Sequence, residues 1–201
     1  RQLAEEAIHV EHNLIKESVG IQDQIAAAYG GINLVKMGKN WSVKNLSLSD
    51  EYVKELESHI LMGYSNISRF AEIQAKKKID NIKEGKSEKE LKEISSIAYE
   101  AINTMIHEDD ISKLGEYLQQ SWEIKKKLAD GITTDWIDEI YKTGIKYGAY
   151  GGKLMGAGGG GFFYFLAPPK LHDKIKKELI SINIWVPFKF DFEGSRLLTL
   201  G

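Results

Sequence analysis

The sequence predicts an α+β fold in which helices cover one side of a sheet. Amphipathic helical patterns recur through most of residues 1–147. Short segments with the alternation or aromatic content of strands lie near residues 32–46, at 59–64, and again after residue 160. Runs of helices flanked by strands, rather than a strict alternation of the two, are typical of this class.

The composition is that of an ordinary globular chain with one or two domains. With 42% hydrophobic and 28% charged residues, the 201 residues can bury a sizeable core. The net charge of −2 gives no reason to expect nucleic acid or an anionic membrane as a partner. The absence of cysteine excludes disulfides and thiolate chemistry and fits a cytoplasmic location. No apolar run reaches the length of a membrane span.

An amphipathic helix is predicted over residues 1–17, with one charged residue on its apolar side. Glu11 interrupts that side, and a carboxylate there must be paired, protonated or bound to a metal. A structural ion pair and a helix edge facing water are the two ordinary alternatives. The helical pattern is already under way at Arg1, so we expect further chain upstream. The apolar side consists of Leu3, Ala4, Ala7, Ile8, Val10, Leu14 and Ile15.

Asp23 lies at the start of a second predicted helix, which Gly30 and Gly31 end. The simplest interpretation of such an aspartate is an N-cap. Residues 32–37 and 41–46 then predict a β-hairpin around a Gly-Lys-Asn turn. A linker at 47–50 gives the predicted domain boundary, with domains at 1–48 and 49–201.

The second domain is predicted to begin with a short helix and a strand, to continue with long helices and to return to strands in its last third. Pro187 places the strand at 184–192 at a sheet edge. The remaining predicted elements are a helix at 49–58, a strand at 59–64, helices at 67–83, 87–107, 109–128 and 133–147, a strand at 161–166, a helix at 168–180, and a final strand at 196–200.

Residues 156–161 form a glycine-rich loop of five glycines and one alanine, and no core requires such a run. Glycine costs conformational entropy, so a run of it indicates positive φ angles or a close approach to a ligand. Successive N–H groups that point inward can bind an anion. A mobile hinge or a tight hairpin turn is the alternative.

Two of these segments together resemble the GHMP kinase superfamily, which includes galactokinase, homoserine kinase and mevalonate kinase. Residues 153–161 look like its glycine-rich third motif, and Glu11 with Asp23 look like its magnesium-ligand and catalytic-aspartate pair. Within the superfamily, residues 19–33 and 192–196 are most similar to the heptose 7-phosphate kinases. The resemblance spans essentially the whole chain.

The resemblance implies the end of a ribosomal-S5-like N-terminal domain followed by a ferredoxin-like GHMP kinase C-terminal domain. It also implies ATP, Mg²⁺ and a sugar phosphate as ligands, and it is compatible with a homodimer. Asp23 would be the catalytic base and Glu11 the metal ligand. The other residues implied are Gln24, Arg69, Gly156, Gly158 and Gly159 for the substrate, and Gly156, Ala157, Gly158, Gly159 and Gly160 for the phosphates of ATP.

The sequence departs from the family at residues 65–69, where a Ser-Asn-Ile-Ser-Arg segment replaces the usual Thr-Gly ahead of an arginine. The family's main ATP loop is expected upstream of Arg1. Two other functions stay open: a kinase for another sugar, such as fucose or galactose, and a catalytically silent sugar or nucleotide sensor. An RNA-binding module is not favoured, because the net charge is negative and no basic-aromatic strand is present.

Overall fold

The computed structural model describes residues 1–17, 20–38, 40–64, 87–128, 132–155 and 161–196. The chain forms a smaller unit that combines residues 1–47 with 189–201, and a larger unit of residues 48–188. The predicted helix at 67–83 and nearly all of the final strand lie outside the described residues. The predicted domain limits at residues 48 and 49 stay a prediction.

The smaller unit contains two packed helices and a β-hairpin. Strands β1 and β2 pair antiparallel with Asn33 opposite Asn45, which confirms the predicted hairpin. Helices α1 and α2 pack against each other. The elements are α1 (Gln2–His9), a π-helical segment (Val10–Ile15), α2 (Gln22–Tyr29), β1 (Asn33–Lys36) and β2 (Ser42–Asn45).

The prediction of one continuous α-helix over residues 1–17 is wrong. The α-helix ends at His9, and the chain continues as the π-helical segment, which ends at Lys16 with φ of +64°. A π-helical turn holds more residues than the 3.6 of an α-helix, so the predicted apolar side does not persist. Ala4 is buried, whereas Leu14 and Ile15 are exposed.

The larger unit is built on a four-stranded antiparallel sheet in the order β4-β5-β3-β6. Its helices agree closely with those predicted from the apolar periodicity. The elements are α3 (Asp50–His59), β3 (Ile60–Tyr64), α4 (Glu88–Ile106), α5 (Ile111–Lys125), α6 (Asp135–Lys146), β4 (Gly151–Leu154), β5 (Phe162–Leu166), a 3₁₀ turn (Pro169–Leu171), α7 (His172–Glu178) and β6 (Ile184–Val186).

The core of the larger unit lies between this sheet and its helices. Phe163 and Phe165 point to the same side of β5, are fully buried and stack with ring centroids 6.0 Å apart. Trp122 of α5 belongs to the same buried cluster. Burial of a side chain as large as phenylalanine contributes roughly 2–3 kcal/mol. This arrangement confirms the predicted α+β class.

The strand predicted at 184–192 is shorter than expected. It ends at Val186, directly before Pro187, which has no N–H group to continue the ladder. As predicted, β6 lies at an edge of the sheet, where it pairs only with β3. Within the described ranges, every helix is too short or too polar to span a bilayer.

Candidate active site

A cleft in the smaller unit brings together residues that are distant in the sequence. Its volume is about 330 Å³. Apolar walls with a few convergent polar groups are the usual make-up of a small-molecule site. The lining residues are Leu3, Ala7, Glu11, Asp23, Gln24, Ala27, Ala28 and Ser195. The cleft therefore unites three residues singled out from the sequence, namely Glu11, Asp23 and Gln24.

Asp23 lies in the first turn of α2 with an exposed side chain. The N-cap position belongs to Ile21, whose side chain makes no capping hydrogen bond. The N-cap interpretation of Asp23 is therefore wrong. The Asp23 carboxylate has no hydrogen bond or ion pair with any described residue. The dipole of the first turn favours a negative charge there, so the carboxylate can accept a hydrogen bond from a ligand.

Glu11 is half-buried in the π-helical segment, and Gln24 contacts its carboxylate. The Gln24 Nε2 group donates a hydrogen bond to Glu11 Oε2. Gln24 is only 8% exposed, and its Oε1 atom has no hydrogen-bond partner among the described residues. Within the same residues Glu11 forms no ion pair, so the structural ion pair considered above does not explain this carboxylate.

Glu11 and Asp23 supply the oxygen donors that a hard cation requires. Mg²⁺ is commonly held by one or two carboxylates together with phosphate oxygens and water. In the part of the chain that the structure describes, no group of three or more His, Cys, Asp and Glu side chains could hold a metal ion. The two carboxylates that line the cleft are oxygen donors of the kind that suits such a cation.

Residues 191–196, called the strap below, fold back against the C-terminal end of α2. The Asp191 carboxylate accepts hydrogen bonds from the N–H groups of Glu193 and Gly194, at 2.8 and 3.2 Å. The Asp191 carbonyl oxygen accepts a hydrogen bond from the N–H of Gly31 at 2.5 Å. One aspartate thus shapes the strap and also ties it to the residues that follow α2.

Ser195 extends the strap to the wall of the cleft. Its N–H and hydroxyl groups both donate to the carbonyl oxygen of Ala27, at 2.9 and 3.0 Å. Gly194 has φ of +65°, and a Cβ atom there would lie 2.7 Å from the nitrogen of Gly30. The sequence analysis did not predict Ser195 as a site residue. The only signal was the resemblance of residues 192–196 to the family's closing segment.

The glycine-rich loop connects two neighbouring strands of the larger unit. Lys153 of β4 lies opposite Tyr164 of β5, and the Met155 N–H donates to the carbonyl oxygen of Phe162 at 2.8 Å. Gly161 ends the loop with φ of +115°. Burial lowers the pKa of the Lys153 ammonium and raises the pKa of the Tyr164 hydroxyl.

Several predicted site residues lie outside the described residues. Their proposed contacts with phosphate and substrate stay predictions. They are Arg69, Gly156, Ala157, Gly158, Gly159 and Gly160.

Comparison with known proteins gives matches over nearly the whole chain. Residues 98–182 match the family described as GHMP kinases C terminal. Over 200 residues the chain is 34% identical to a D-glycero-alpha-D-manno-heptose 7-phosphate kinase from Campylobacter jejuni. That match covers 96% of this chain and 58% of the relative, so the chain spans somewhat more than half the length of the relative.

Solved structures give the same family likeness. A candidate sugar kinase from Campylobacter jejuni matches with a TM-score of 0.65 and 28% identity, over 95% of this chain and 55% of that one. A D-glycero-D-manno-heptose 1-phosphate kinase from Bacteroides thetaiotaomicron matches with a TM-score of 0.61 and 23% identity. The latter match covers 98% of this chain and 55% of the other, and at that identity it supports the fold alone.

Proposed function

We propose that the protein, whose residues 98–182 match the family described as GHMP kinases C terminal, is an ATP-dependent sugar kinase. The proposed acceptor is D-glycero-D-manno-heptose 7-phosphate, and the product is the 1,7-bisphosphate. The observation that carries the proposal is the cleft in which the unpartnered Asp23 carboxylate and the Glu11 carboxylate lie together. The heptose is proposed from the 34% identity to a kinase of that name.

In this mechanism Asp23 binds the anomeric hydroxyl of the acceptor. The acceptor oxygen forms a bond to the γ-phosphorus of ATP while the bond from phosphorus to ADP breaks. As the attacking oxygen donates its electron pair to phosphorus, the hydroxyl becomes more acidic and its proton passes to Asp23. A carboxylate without a hydrogen bond to any described residue suits this role, because accepting the proton breaks no hydrogen bond among those residues.

Glu11, the other carboxylate of the cleft, would hold Mg²⁺. When bound, the cation neutralises charge on the phosphates of ATP and orients them. The side chain of Glu11 is already engaged by Gln24, which leaves the second carboxylate oxygen for a ligand. Magnesium dependence of the reaction is therefore part of the proposal.

The remaining roles fall on residues known from the sequence alone. The loop residues Gly156, Ala157, Gly158, Gly159 and Gly160 would donate N–H groups to phosphate oxygens. Arg69 would contact the phosphate carried by the acceptor, since a guanidinium suits that geometry. We place the reaction in the cytoplasm, which the absence of cysteine fits.

The proposal is tested by ADP release from the purified protein with a panel of acceptors. The panel is heptose 7-phosphate, galactose, fucose, mevalonate and homoserine. We expect release with the heptose phosphate and loss of it in Asp23→Asn. Asp50→Asn is the matched control, because Asp50 also lies in the first turn of a helix but outside the cleft.

The other outcomes assign different functions. Release with a different acceptor retains the kinase and discards the heptose. Equal turnover in wild type and Asp23→Asn removes Asp23 from the role of base. ATP binding without release for any acceptor favours the silent sensor.

A further inference from the structure

We propose that Gln24 is a positioning residue that holds the Glu11 carboxylate in place, and that it is not a ligand of the substrate. The resemblance to the family implied a substrate contact for Gln24. The structure instead shows its amide buried and donating to Glu11. The inference rests on the proposed function, because it assumes that Glu11 holds the cation.

The orientation of the Gln24 amide is set by the charge of Glu11. A glutamine side chain carries two N–H donors on one side and a carbonyl acceptor on the other. If the amide turned over, its Oε1 atom would face Glu11 Oε2, and two acceptors would meet without a proton between them. The observed orientation is therefore the attractive one, and in the described part of the chain Oε1 has no hydrogen-bond donor.

Stability alone does not explain a glutamine at this position. A buried carbonyl oxygen with no donor opposes folding. The next residue on α2, Ile25, is fully buried and apolar, so this part of the helix accepts hydrocarbon side chains. A side chain of similar size without the amide would avoid the cost at Oε1. The contact that such a side chain would lose is the hydrogen bond to Glu11.

The backbone of Glu11 is constrained as well. Glu11 lies in the π-helical segment, and its carbonyl oxygen accepts the N–H of Glu17 at 2.9 Å. Lys16 adopts a left-handed conformation at the end of this segment, which is unfavourable for a residue with a Cβ atom. Single π-helical turns within helices occur frequently at functional sites. Backbone and side chain thus restrict Glu11 before any ligand binds, which lowers the entropy lost on binding.

The test uses Mn²⁺ with ATP as the probe, followed by the electron paramagnetic resonance signal of free Mn²⁺. Gln24→Met retains the length of the side chain but removes the amide. We expect about a tenfold weaker Mn²⁺ affinity, in line with the loss of one hydrogen bond to a charged group. Gln22→Met is the matched control, because Gln22 is exposed on the same helix, and its affinity stays unchanged.

Thermal unfolding is measured on the same variants. Gln24→Met loses the Oε1 atom and also the hydrogen bond to Glu11, two changes of opposite sign, so we expect an unfolding temperature close to that of the wild type. Equal Mn²⁺ affinity in Gln24→Met and wild type, with loss in Glu11→Gln, overturns the positioning role alone. Equal affinity in all three, or no Mn²⁺ binding by the wild type, overturns the metal role of Glu11 and the role of Gln24 with it. ADP release with the acceptor panel reports separately on the kinase itself.

A second readout needs neither metal nor activity. The side-chain amide of Gln24 gives its own signals in a ¹⁵N–¹H correlation spectrum. Glu11→Gln removes the charge that this amide faces, so we expect these signals to move by more than those of Gln22. Signals of Gln24 that stay in place overturn the proposal.

Discussion

The first turns of α2 and α3 are built differently, although each contains acidic residues. Before α3, Ser49 accepts the N–H of Tyr52 at 3.1 Å, and Glu108 accepts the N–H and hydroxyl of Ser49 at 2.6 and 2.8 Å. Before α2, Ile21 caps nothing, and Asp23 makes no polar contact with any described residue. Helix α3 has a side-chain cap at its start, whereas α2 has none, and Asp23 in the first turn of α2 lines the cleft.

Two other helices of the larger unit are capped by a side chain in the same way as α3, whereas Ser87 before α4 makes no side-chain capping hydrogen bond. Asp110 accepts the N–H of Ser112 at 2.8 Å before α5, and Thr134 accepts the N–H of Ile137 at 3.3 Å before α6. Capping of this kind contributes about 1 kcal/mol per helix. Asp23 differs from Asp50, in the first turn of α3, because Asp23 lines the cleft together with Glu11.

The largest expected effect comes from replacing, in two separate variants, Asp23, which lines the cleft, and Asp110, which caps α5. Asp23→Ala should lower turnover by about 100-fold or more, because a positioned base contributes at least that much. Its melting temperature should change little, since the carboxylate caps nothing. Asp110→Ala should do the reverse, losing about 1 kcal/mol of unfolding free energy with unchanged turnover. Similar losses of turnover in both variants would contradict the comparison.

The next effect concerns the opposite end of α2. Gly194→Ala should lower the unfolding free energy by about 3 kcal/mol, from the left-handed backbone and the overpacking together. The added Cβ atom would lie 2.7 Å from Gly30 N and 2.8 Å from Ala28 O. Gly20→Ala is the control, because nothing lies within 4 Å of a Cβ atom there. Denaturant unfolding of both variants gives the difference, and equal values would show that the strap does not hold α2.

A smaller effect is expected from Glu108, whose carboxylate is the outer part of the α3 cap. Glu108→Ala should lower the unfolding free energy by about 1–2 kcal/mol, because it removes two hydrogen bonds to a charged group. Turnover should stay at the wild-type level. Glu100→Ala, on the exposed side of α4, serves as the control in the same urea titration. An unchanged midpoint for Glu108→Ala would mean that Ser49 alone caps α3.

The smallest expected effect is a loss of stability at alkaline pH, and it concerns two buried tyrosines of the larger unit. Burial raises the pKa of Tyr52 and of Tyr141 from 10.0 to about 12, and neither hydroxyl has a partner among the described residues. The pKa of each tyrosine is higher in the folded state than in the unfolded state. The corresponding contribution to the free energy of unfolding is therefore complete below pH 10 and is lost as the pH rises toward 12. Tyr52→Phe should reduce that loss and add about 0.5–1 kcal/mol near neutral pH.

This expectation is checked by melting temperatures measured between about pH 7 and pH 11, in steps of about one pH unit. Tyr99→Phe is the control, because Tyr99 is 48% exposed and should show neither change. A steeper alkaline loss in Tyr52→Phe than in wild type would contradict the assignment.

Local sequence patterns predicted most elements whose residues interact within a short stretch. Apolar alternation gave the β1–β2 hairpin, and Ser49 before an acidic turn gave the start of α3. The resemblance to the GHMP kinases singled out Glu11 and Asp23, which do line one cleft. Their chemical roles stay predictions.

The features that the sequence did not predict depend on contacts between distant segments or on local departures from a regular period. The hydrogen bond from Ser195 to Ala27 joins residues 168 positions apart, and no local pattern encodes it. The π-helical segment changes the spacing that the helical wheel assumes, so the exposed Leu14 was expected on a buried side. The resemblance implied a substrate contact for Gln24, and no local pattern indicated the hydrogen bond from its buried amide to Glu11.

The strap also determines when the smaller unit can be completed during translation. Residues 48–188 of the larger unit leave the ribosome before the strap does, whereas α2 leaves much earlier. The Ala27 carbonyl oxygen and the N–H of Gly31 therefore lack these partners until residues 191–195 have been made. A chain that stops after residue 188 would retain every described element of the larger unit and lose this closing contact. Termination after residue 188 would thus yield a chain that contains the larger unit but lacks Ser195 in the wall of the cleft.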